Sequence, residues 1–271
     1  MAFIEEPRHQ MYATSLANGM SVLAAFTAAE PALSNAALAK KTGLSRSTIT
    51  RLTYTLTELR LLRFDTEVQQ YRIGSAALSV AYPFLARLKI QHVALPLMQA
   101  FAHQQNVSVS LGMRSRDSMI YVENYRAFEG LEFRPDVGAT LPLLRTAMGR
   151  AWLSAQPRAT HAQALRELKR LQPRDWKRYR PALQEALASC ASRGFCISHG
   201  DLHESIHAVA VPLRTRVDGE SVVLNCGIPA TILKPGLLER RIGPGLLALG
   251  HRIDAAMDAL LAESQNSDEQ T

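Results

Sequence analysis

The segment LAKKTGLSRSTITRLTYTLTELRLL, from Leu38 to Leu62, decides the fold of the N-terminal part of the chain. Its apolar residues recur at helical spacing, yet one side is crowded with Ser and Thr, which are poor helix formers. A helix that keeps weak helix formers on one side indicates that this side makes a contact of its own. Four residues are spaced to form the buried stripe opposite: Ile49, Leu52, Leu56 and Leu59.

A turn in this segment separates two predicted helices. Ser34 is a suitable N-cap for the first helix, and Gly43 follows that helix where a turn requires positive φ. Ser45 then caps a second helix that continues to about residue 61. Ala39 and Ile49 stand where crossing helices need a small residue and a core residue. The spacing therefore predicts a helix-turn-helix.

Elements on both sides extend this unit. Two short extended pieces, Leu62–Phe64 and Gln70–Ile73, surround the polar turn 65–69 and predict a β-hairpin. Upstream, the spacing predicts a helix over 15–27, closed by Pro31. The apolar residues of that helix recur at helical spacing: Leu16, Met20, Leu23 and Phe26.

The polar side of the second helix is suited to DNA. Its N-terminus presents backbone N–H groups and hydroxyls to phosphates, and the following turns can reach the major groove. The competing interpretation is that Ser and Thr only solvate an exposed face. With Arg72 of the hairpin included, the candidate DNA-binding residues are Ser45, Arg46, Ser47, Thr48, Thr50, Arg51, Tyr54 and Arg72.

The remainder of the chain predicts a second domain. A largely helical stretch, 75–106, leads into VSVSLGM and MIYVENY, which alternate around the turn RSRDS as two antiparallel strands do. A strand-and-loop region, LEFRPDVGATLPLL, follows. A last helix is interrupted early by Gly243, Pro244 and Gly245, and the tail SQNSDEQT is expected to be disordered. Between them the pattern predicts helices near 146–154, 161–171 and 181–192, then strands near 195–198, 205–211 and 221–226.

The bulk composition is that of a globular protein. With 47% hydrophobic and 20% charged residues, the 271-residue chain can form a core in each of two modest domains. A formal charge of +7 is compatible with a polyanionic partner, although the basic run 158–180 most simply solvates helices. Three cysteines without CxxC spacing suit reduced thiols. Neither a membrane span nor a secretion signal is apparent, so we expect a cytoplasmic protein with no membrane partner.

Several motifs are together similar to one family. SLANGMSVLAAF, ALAKKTGLSRSTITRLTYTLTELRLLRFD and YRIGSAAL resemble the winged helix-turn-helix of the IclR family of bacterial transcription regulators. VSVSLGM with MIYVENY, LPLLRTAMGRAWLSA, SRGFCIS before HAVAVPL, and VVLNCGIP resemble the effector-binding domain of that family. The resemblance extends from about Ser15 to Leu261.

The resemblance implies an α+β protein of two domains. A winged helix-turn-helix domain at 12–75 and a linker helix at 76–93 would precede a GAF-like α/β effector-binding domain at 94–263, with a disordered tail at 264–271. It further implies a non-enzymatic, ligand-responsive regulator of neighbouring, catabolic genes, without a cofactor. The expected partners are a double-stranded DNA operator, a small-molecule effector and further copies of the chain, as a homodimer or homotetramer.

The resemblance also indicates where the effector binds. In family members that sense small oxoacids, the pocket has polar residues at positions that here hold Ala147 with Met148, Ser198, Ala208, and Asn225 with Gly227. Most of that polar set is absent, which favours a larger aromatic or other organic acid. Arg145 could pair with its carboxylate, or it could be a solubilising or interdomain arginine. The candidate effector-binding residues are Arg145, Ala147, Met148, Ser198, His207, Ala208, Asn225 and Gly227.

Three histidines allow a different interpretation. His199, His203 and His207 are spaced four apart, and on a continuous helix they would share a face and could bind zinc. The following HAVAVPL is strand-like, however, so they are alternatively loop or pocket histidines. A metal-dependent hydrolase fused to a winged helix is the enzyme-class alternative, although G-x-S-x-G, HExxH, P-loop and Rossmann patterns are lacking. The other alternative to a DNA-binding regulator is a winged helix used only for protein contacts.

Overall fold

The structure is a computed structural model that describes residues 11–128 and 135–268, with side chains through residue 263. The chain divides into two compact units between Arg87 and Leu88. Both helices and strands occur in each unit, so the predicted two-part α+β architecture is confirmed. No helix in the described residues is long and apolar enough to cross a bilayer.

The first unit combines helices with a small antiparallel sheet. Its strands have the order β1-β3-β2, so the predicted hairpin is joined by a third strand. The elements are α1 (Thr14–Ala24), β1 (Ala32–Leu33), α2 (Asn35–Thr42), α3 (Arg46–Glu58), β2 (Leu62–Asp65), β3 (Gln70–Ile73) and α4 (Ala76–Ala86).

Local signals set the helix ends of the helix-turn-helix. The Ser34 side chain accepts a hydrogen bond from the Ala37 amide at the start of α2. Gly43 ends that helix with φ 73°, a left-handed conformation that glycine adopts without a Cβ penalty. The hydroxyl of Ser45 accepts from the Thr48 amide at 3.1 Å and caps α3. All three predicted ends are confirmed.

The core of the first unit differs in part from the predicted stripes. Leu59 is 58% exposed, because α3 ends at Glu58 and the chain turns away. Thr53 is buried in its place, with its hydroxyl donating to the Ile49 carbonyl at 2.9 Å. The cluster contains Val22, Leu33, Leu38, Ile49, Leu56 and Leu62.

Two of the helically spaced apolar residues of α1 are not in the core. Leu16 is 67% exposed and Met20 is 44% exposed, whereas Val22 is buried. Gly19 lies on the buried side, where an added Cβ would come within 4.0 Å of Leu52 on α3. The buried side of α1 is therefore formed by Gly19, Ser21 and Val22 rather than by its larger apolar residues.

The second unit is built on a mixed-length antiparallel sheet with the strand order β6-β5-β4-β9-β8-β7. Its strands are β4 (Ser108–Ser115), β5 (Ser118–Arg126), β6 (Thr140–Pro142), β7 (Cys196–His203), β8 (Ile206–Val217) and β9 (Glu220–Pro229). Its helices are α5 (Lys89–Gln105), α6 (Ala147–Ser154), α7 (Arg158–Leu171), α8 (Pro173–Arg193) and α9 (Gly243–Asp268). A 3-10 turn (Ala230–Ile232) and a π-helical turn (Leu238–Ile242) precede α9.

Helices cover both faces of this sheet. On one face, Met119, Ala210 and Val223 of the strands pack with buried residues of α6, α7 and α8. On the other face, α9 packs on β8, where Gly250 lies against Val211. Because both faces are covered, β9 is buried from residue 221 to residue 229.

Several predicted boundaries of the second unit need correction. α8 begins at Pro173 rather than near residue 181, and Pro181 lies exposed inside a helix whose Tyr179 and Leu183 are buried. Gly243 starts α9 instead of interrupting it. The backbone at this position lies so close to Phe195 that an added Cβ would be 2.5 Å from its ring. The helix runs through residue 268, past the start of the predicted disordered tail, and 269–271 lie outside the described residues. In LEFRPDVGATLPLL, 131–134 likewise lie outside them.

Candidate functional site

The polar side of α3 faces solvent. The side chains of Arg46, Ser47, Thr50 and Arg51 are exposed, and Tyr54 is 67% exposed. Ser45 is exposed and its hydroxyl is occupied as the helix cap, while Thr48 is half-buried. The face therefore combines the positive end of a helix, two guanidinium groups and a phenol, which suits phosphate contacts and base edges.

The hairpin beside α3 carries further cations. Arg72 on β3 is half-buried, and its Nε lies 3.8 Å from an Asp65 carboxylate oxygen. Arg63 lies opposite Arg72 in the ladder and is exposed. Sequence reasoning did not single out Arg63, although its place in a hairpin after a helix-turn-helix was a usable signal.

A cavity of about 50 Å³ lies in the second unit between the sheet and the start of α6. Of the residues predicted for the effector, six line it: Arg145, Met148, Ser198, Ala208, Asn225 and Gly227. Further lining residues that sequence reasoning missed include Ser108, Tyr121, Asn124, Arg126, Leu141, Thr146, Leu202 and Ile206. Ligand pockets commonly have volumes of roughly 300–1,000 Å³, so this cavity is narrower in the structure than a typical ligand site.

Two of the predicted effector residues do not line this cavity. Ala147 is buried in the hydrophobic cluster of α6, α7 and α8. His207 neighbours Ala208 on β8, and successive strand residues point to opposite faces of the sheet. Burial, and then the charge of nearby His199, lowers the pKa of His207, so its imidazole is neutral at pH 7.

Arg145 and Arg150 both hold the end of β7. Arg145 donates from Nε to the Asp201 carbonyl at 3.2 Å and from Nη2 to the Leu202 carbonyl at 3.1 Å. The side chain of Arg150 is 1% exposed, and its Nη2 lies 2.6 Å from the Asp201 carboxylate. Since Leu202 lines the cavity, these contacts fasten one wall of it. We name this segment, residues 200–203, the β7 strap.

Asn225 and Tyr121 supply polar groups deep in the cavity. The Asn225 amide donates to the Ser110 hydroxyl at 3.3 Å and to the Tyr121 hydroxyl at 3.5 Å. Burial raises the pKa of the Tyr121 phenol, so it remains neutral and acts as a hydrogen-bonding group. On another wall, Arg126 donates to the Pro135 carbonyl at 3.0 Å and to the Asp136 carboxylate at 2.9 Å.

The three histidines are not arranged as the zinc interpretation required. His199 and His207 pair across β7 and β8, with ring centroids 6.0 Å apart, and His203 bonds the Ser205 hydroxyl at 2.7 Å. They lie on strands, so they do not share one helical face. Within 11–128 and 135–263, no three His, Cys, Asp or Glu side chains are grouped closely enough to hold a metal ion.

Comparisons with known proteins agree with this architecture. The IclR helix-turn-helix domain model matches residues 15–66, and the model of the bacterial transcriptional regulator IclR C-terminal matches residues 83–234. The HTH-type transcriptional regulator TsaQ1/TsaQ2 of Comamonas testosteroni is 28% identical, covering 90% of this chain and 88% of that protein. The p-hydroxybenzoate hydroxylase transcriptional activator of Acinetobacter baylyi is 24% identical over 89% of this chain and 90% of its own length.

A solved structure shows the same likeness over both units. The IclR family transcriptional regulator from Brucella abortus is 35% identical, with a TM-score of 0.80. The match covers 94% of this chain and 98% of that one.

Proposed function

The chain belongs to the IclR family of bacterial transcriptional regulators, which bind DNA and are not enzymes, and from this premise we propose that an aromatic or other small organic acid controls it. Residues 12–75 would bind a double-stranded operator beside catabolic genes, and residues 94–263 would bind the effector, in a homodimer or homotetramer. The relative named for p-hydroxybenzoate hydroxylase supports this class of effector.

The polar side of α3 supports the DNA contact. Arg51 and Tyr54 are exposed and follow a capped helix N-terminus, so they can reach base edges while the N-terminal turn meets a phosphate. Arg72 and Arg63 on the hairpin would add phosphate contacts beside the recognition helix.

The polar ends of the cavity carry the effector proposal. Arg145 offers a guanidinium that can receive a carboxylate, and Asn225 offers an amide oxygen that can accept a hydroxyl proton. Apolar groups of Leu141, Met148 and Leu202 stand with them in the same lining and would contact a ring. A hydroxylated aromatic acid fits this combination of groups.

Binding of such an acid requires the cavity to widen. Arg145 already holds two carbonyls of the β7 strap, and about 50 Å³ is too little for an aromatic ring with its substituents. A carboxylate that competes for the Arg145 guanidinium would release those carbonyls, because a charged acceptor binds more strongly than a neutral one. Release of the β7 strap is therefore the proposed response to the effector.

Fluorescence anisotropy tests this function directly. The purified chain would be titrated onto DNA from upstream of its own and adjacent genes, with and without aromatic and oxo acids. Selective binding that one acid shifts supports the proposal. Weak binding to any DNA, erased by salt and indifferent to every acid, contradicts it, because such binding reports only counterion release.

The Arg145→Ala variant tests the carboxylate contact. We expect the affinity for the responsive acid to fall at least about tenfold, while operator binding without acid is retained. Arg166→Ala, on an exposed position of α7, is the matched control and should leave acid affinity unchanged. Equal acid affinity in the wild type and the Arg145→Ala variant would remove Arg145 from the proposed site.

A further inference from the structure

A second cavity lies at the other end of the same sheet. Its volume is about 440 Å³. β4 runs from Ser108 in the first cavity to Arg114 in the second, and β9 runs from Ser221 in the second to Asn225 in the first. We name it the arginine cavity, after Arg114, Arg116 and Arg216, which line it with Trp152, Gln156 and Ser221.

The three arginines come from the ends of two hairpins, β4–β5 and β8–β9. Arg114 is the residue before the last one of β4, and Arg116 stands in the β4–β5 turn with φ 57°. Arg216 comes from the end of β8, is exposed, and donates from Nη1 to the Gly219 carbonyl at 2.9 Å. The acidic lining residue is Glu220, so cations exceed anions in the wall by three to one.

Neighbouring residues hold Arg114 in place. Its guanidinium lies 4.7 Å from the centre of the Trp152 ring and pairs with the Glu167 carboxylate at 2.8 Å. The hydrogen bond from Gln163, and then the one from Arg114, keeps the pKa of Glu167 below its usual range. The pair is thus charged at neutral pH, and the guanidinium is oriented before any ligand arrives.

Trp152 adds an unsatisfied donor to this region. The residue is 2% exposed, and its indole N–H has no acceptor among the residues that the structure describes. A buried donor without an acceptor costs free energy. Trp152 also lines the arginine cavity, so a ligand bound there would contact its side chain.

We propose that the arginine cavity binds a small polyanion, namely a phosphate ester or a tricarboxylate. Guanidinium groups recognise phosphate and carboxylate oxygens bidentately, and several of them favour a ligand with more than one negative charge. About 440 Å³ accommodates a molecule the size of a phosphorylated sugar or citrate. The proposal is independent of the effector cavity, because the two linings share no residue.

Tryptophan fluorescence can report on this cavity alone. The chain has two tryptophans, so the Trp176→Phe variant leaves Trp152 as the single indole. This variant would be titrated with citrate and, separately, with fructose 1,6-bisphosphate at constant ionic strength, with acetate as the monovalent control. We expect a saturable change with one or both polyanions and none with acetate. The probe that responds identifies the carboxylate or the phosphate class.

Charge variants assign the signal to the arginine cavity. In the Trp176→Phe background, Arg116→Gln with Arg216→Gln should weaken binding at least about tenfold. Arg166→Gln removes one charge from α7, away from the lining, and should leave the affinity unchanged. Circular dichroism checks that each variant is folded.

The proposal is overturned if neither polyanion gives a saturable signal, or if the double variant binds as tightly as its parent. These titrations use neither DNA nor an aromatic acid. A negative result therefore leaves the proposed regulator function untouched, and a failed acid response leaves the arginine cavity untouched.

Discussion

Helices α3 and α6 begin with the same kind of cap but differ in burial: one side of α3 is exposed, whereas α6 is buried. The Ser45 hydroxyl accepts from the Thr48 amide at the start of α3, and the Thr146 hydroxyl accepts from the Gly149 amide at the start of α6, both at 3.1 Å. α3 then exposes a continuous polar side. By contrast, every residue of α6 from 147 to 153 is buried.

The difference explains which functional residues can be read from sequence. An amphipathic helix separates its core side from its contact side by the helical period, so exposure follows from spacing. A helix buried all round has no such period. Ala147 and Met148 were equally plausible as cavity residues, and the structure places only Met148 in the lining.

Substitution of one arginine in each helix should give the largest difference in the free energy of unfolding. Arg150→Met removes a buried partner of Asp201, so we expect the free energy of unfolding of the second unit to fall by about 3–5 kcal/mol. Arg51→Met, at an exposed position of α3, should change stability by less than about 0.5 kcal/mol. Denaturant unfolding followed by circular dichroism measures both. Equal losses would mean that the two helices are not different in this respect.

Ile49→Ala tests the buried side of α3. Ile49 is fully buried, and we expect a loss of about 2–5 kcal/mol in the unfolding of the first unit. The control is Tyr54→Ala on the other side of the same helix, where the residue is 67% exposed. A larger loss for Tyr54→Ala than for Ile49→Ala would mean that the helix is rotated from the position described.

Substitutions on the exposed side of α3, which should have little effect on stability, should have the larger effect on DNA affinity. Arg51→Ala and Tyr54→Ala are each expected to weaken binding to the selective DNA by about 1–3 kcal/mol, because each removes a group that can reach a base edge. Their melting temperatures should match that of the unaltered protein. Anisotropy titrations at fixed salt provide the test, with Arg166→Ala as the control for a change in net charge. Unchanged DNA affinity in both variants would remove this face from the proposed interface.

Removal of the two helix caps should have the smallest effects on stability. Ser45→Ala is expected to cost about 1 kcal/mol or less, since water can reach the freed Thr48 amide. Thr146→Ala should cost more, up to about 2 kcal/mol, because Thr146 is 6% exposed and its hydroxyl also donates to the Pro142 carbonyl. Thermal unfolding of both variants compares them. A larger loss at Ser45 would show that exposure does not govern the cost of losing a cap.

Sequence patterns predicted the parts of the fold that depend on neighbours in the chain. The caps at Ser34 and Ser45 and the turn at Gly43 require only residues within one helical turn, and all were correct. β8 was predicted to end near residue 211 but continues to 217. The buried carboxylate of Asp254 accepts from the Thr215 amide at 2.9 Å, and no local pattern around β8 reveals so distant a partner.

The same limit applies to the candidate site. Family resemblance indicated six lining residues of the first cavity, because each belongs to a short motif. The partners of Arg145 are carbonyls on a segment more than fifty residues away, which spacing cannot predict. The arginine cavity was missed for a related reason, since its cations come from hairpin ends that look like ordinary solvated surface in the sequence.

The burial of α6 from residue 147 to residue 153 also has a mechanical consequence. The helix has eight residues and is therefore about 12 Å long, with Met148 in the wall of one cavity and Trp152 in the wall of the other. A short helix packed in this way has little room to bend, so its residues move together rather than one by one. Met148 and Trp152 are one helical turn apart, so a shift of α6 along its axis would move a wall residue of both cavities.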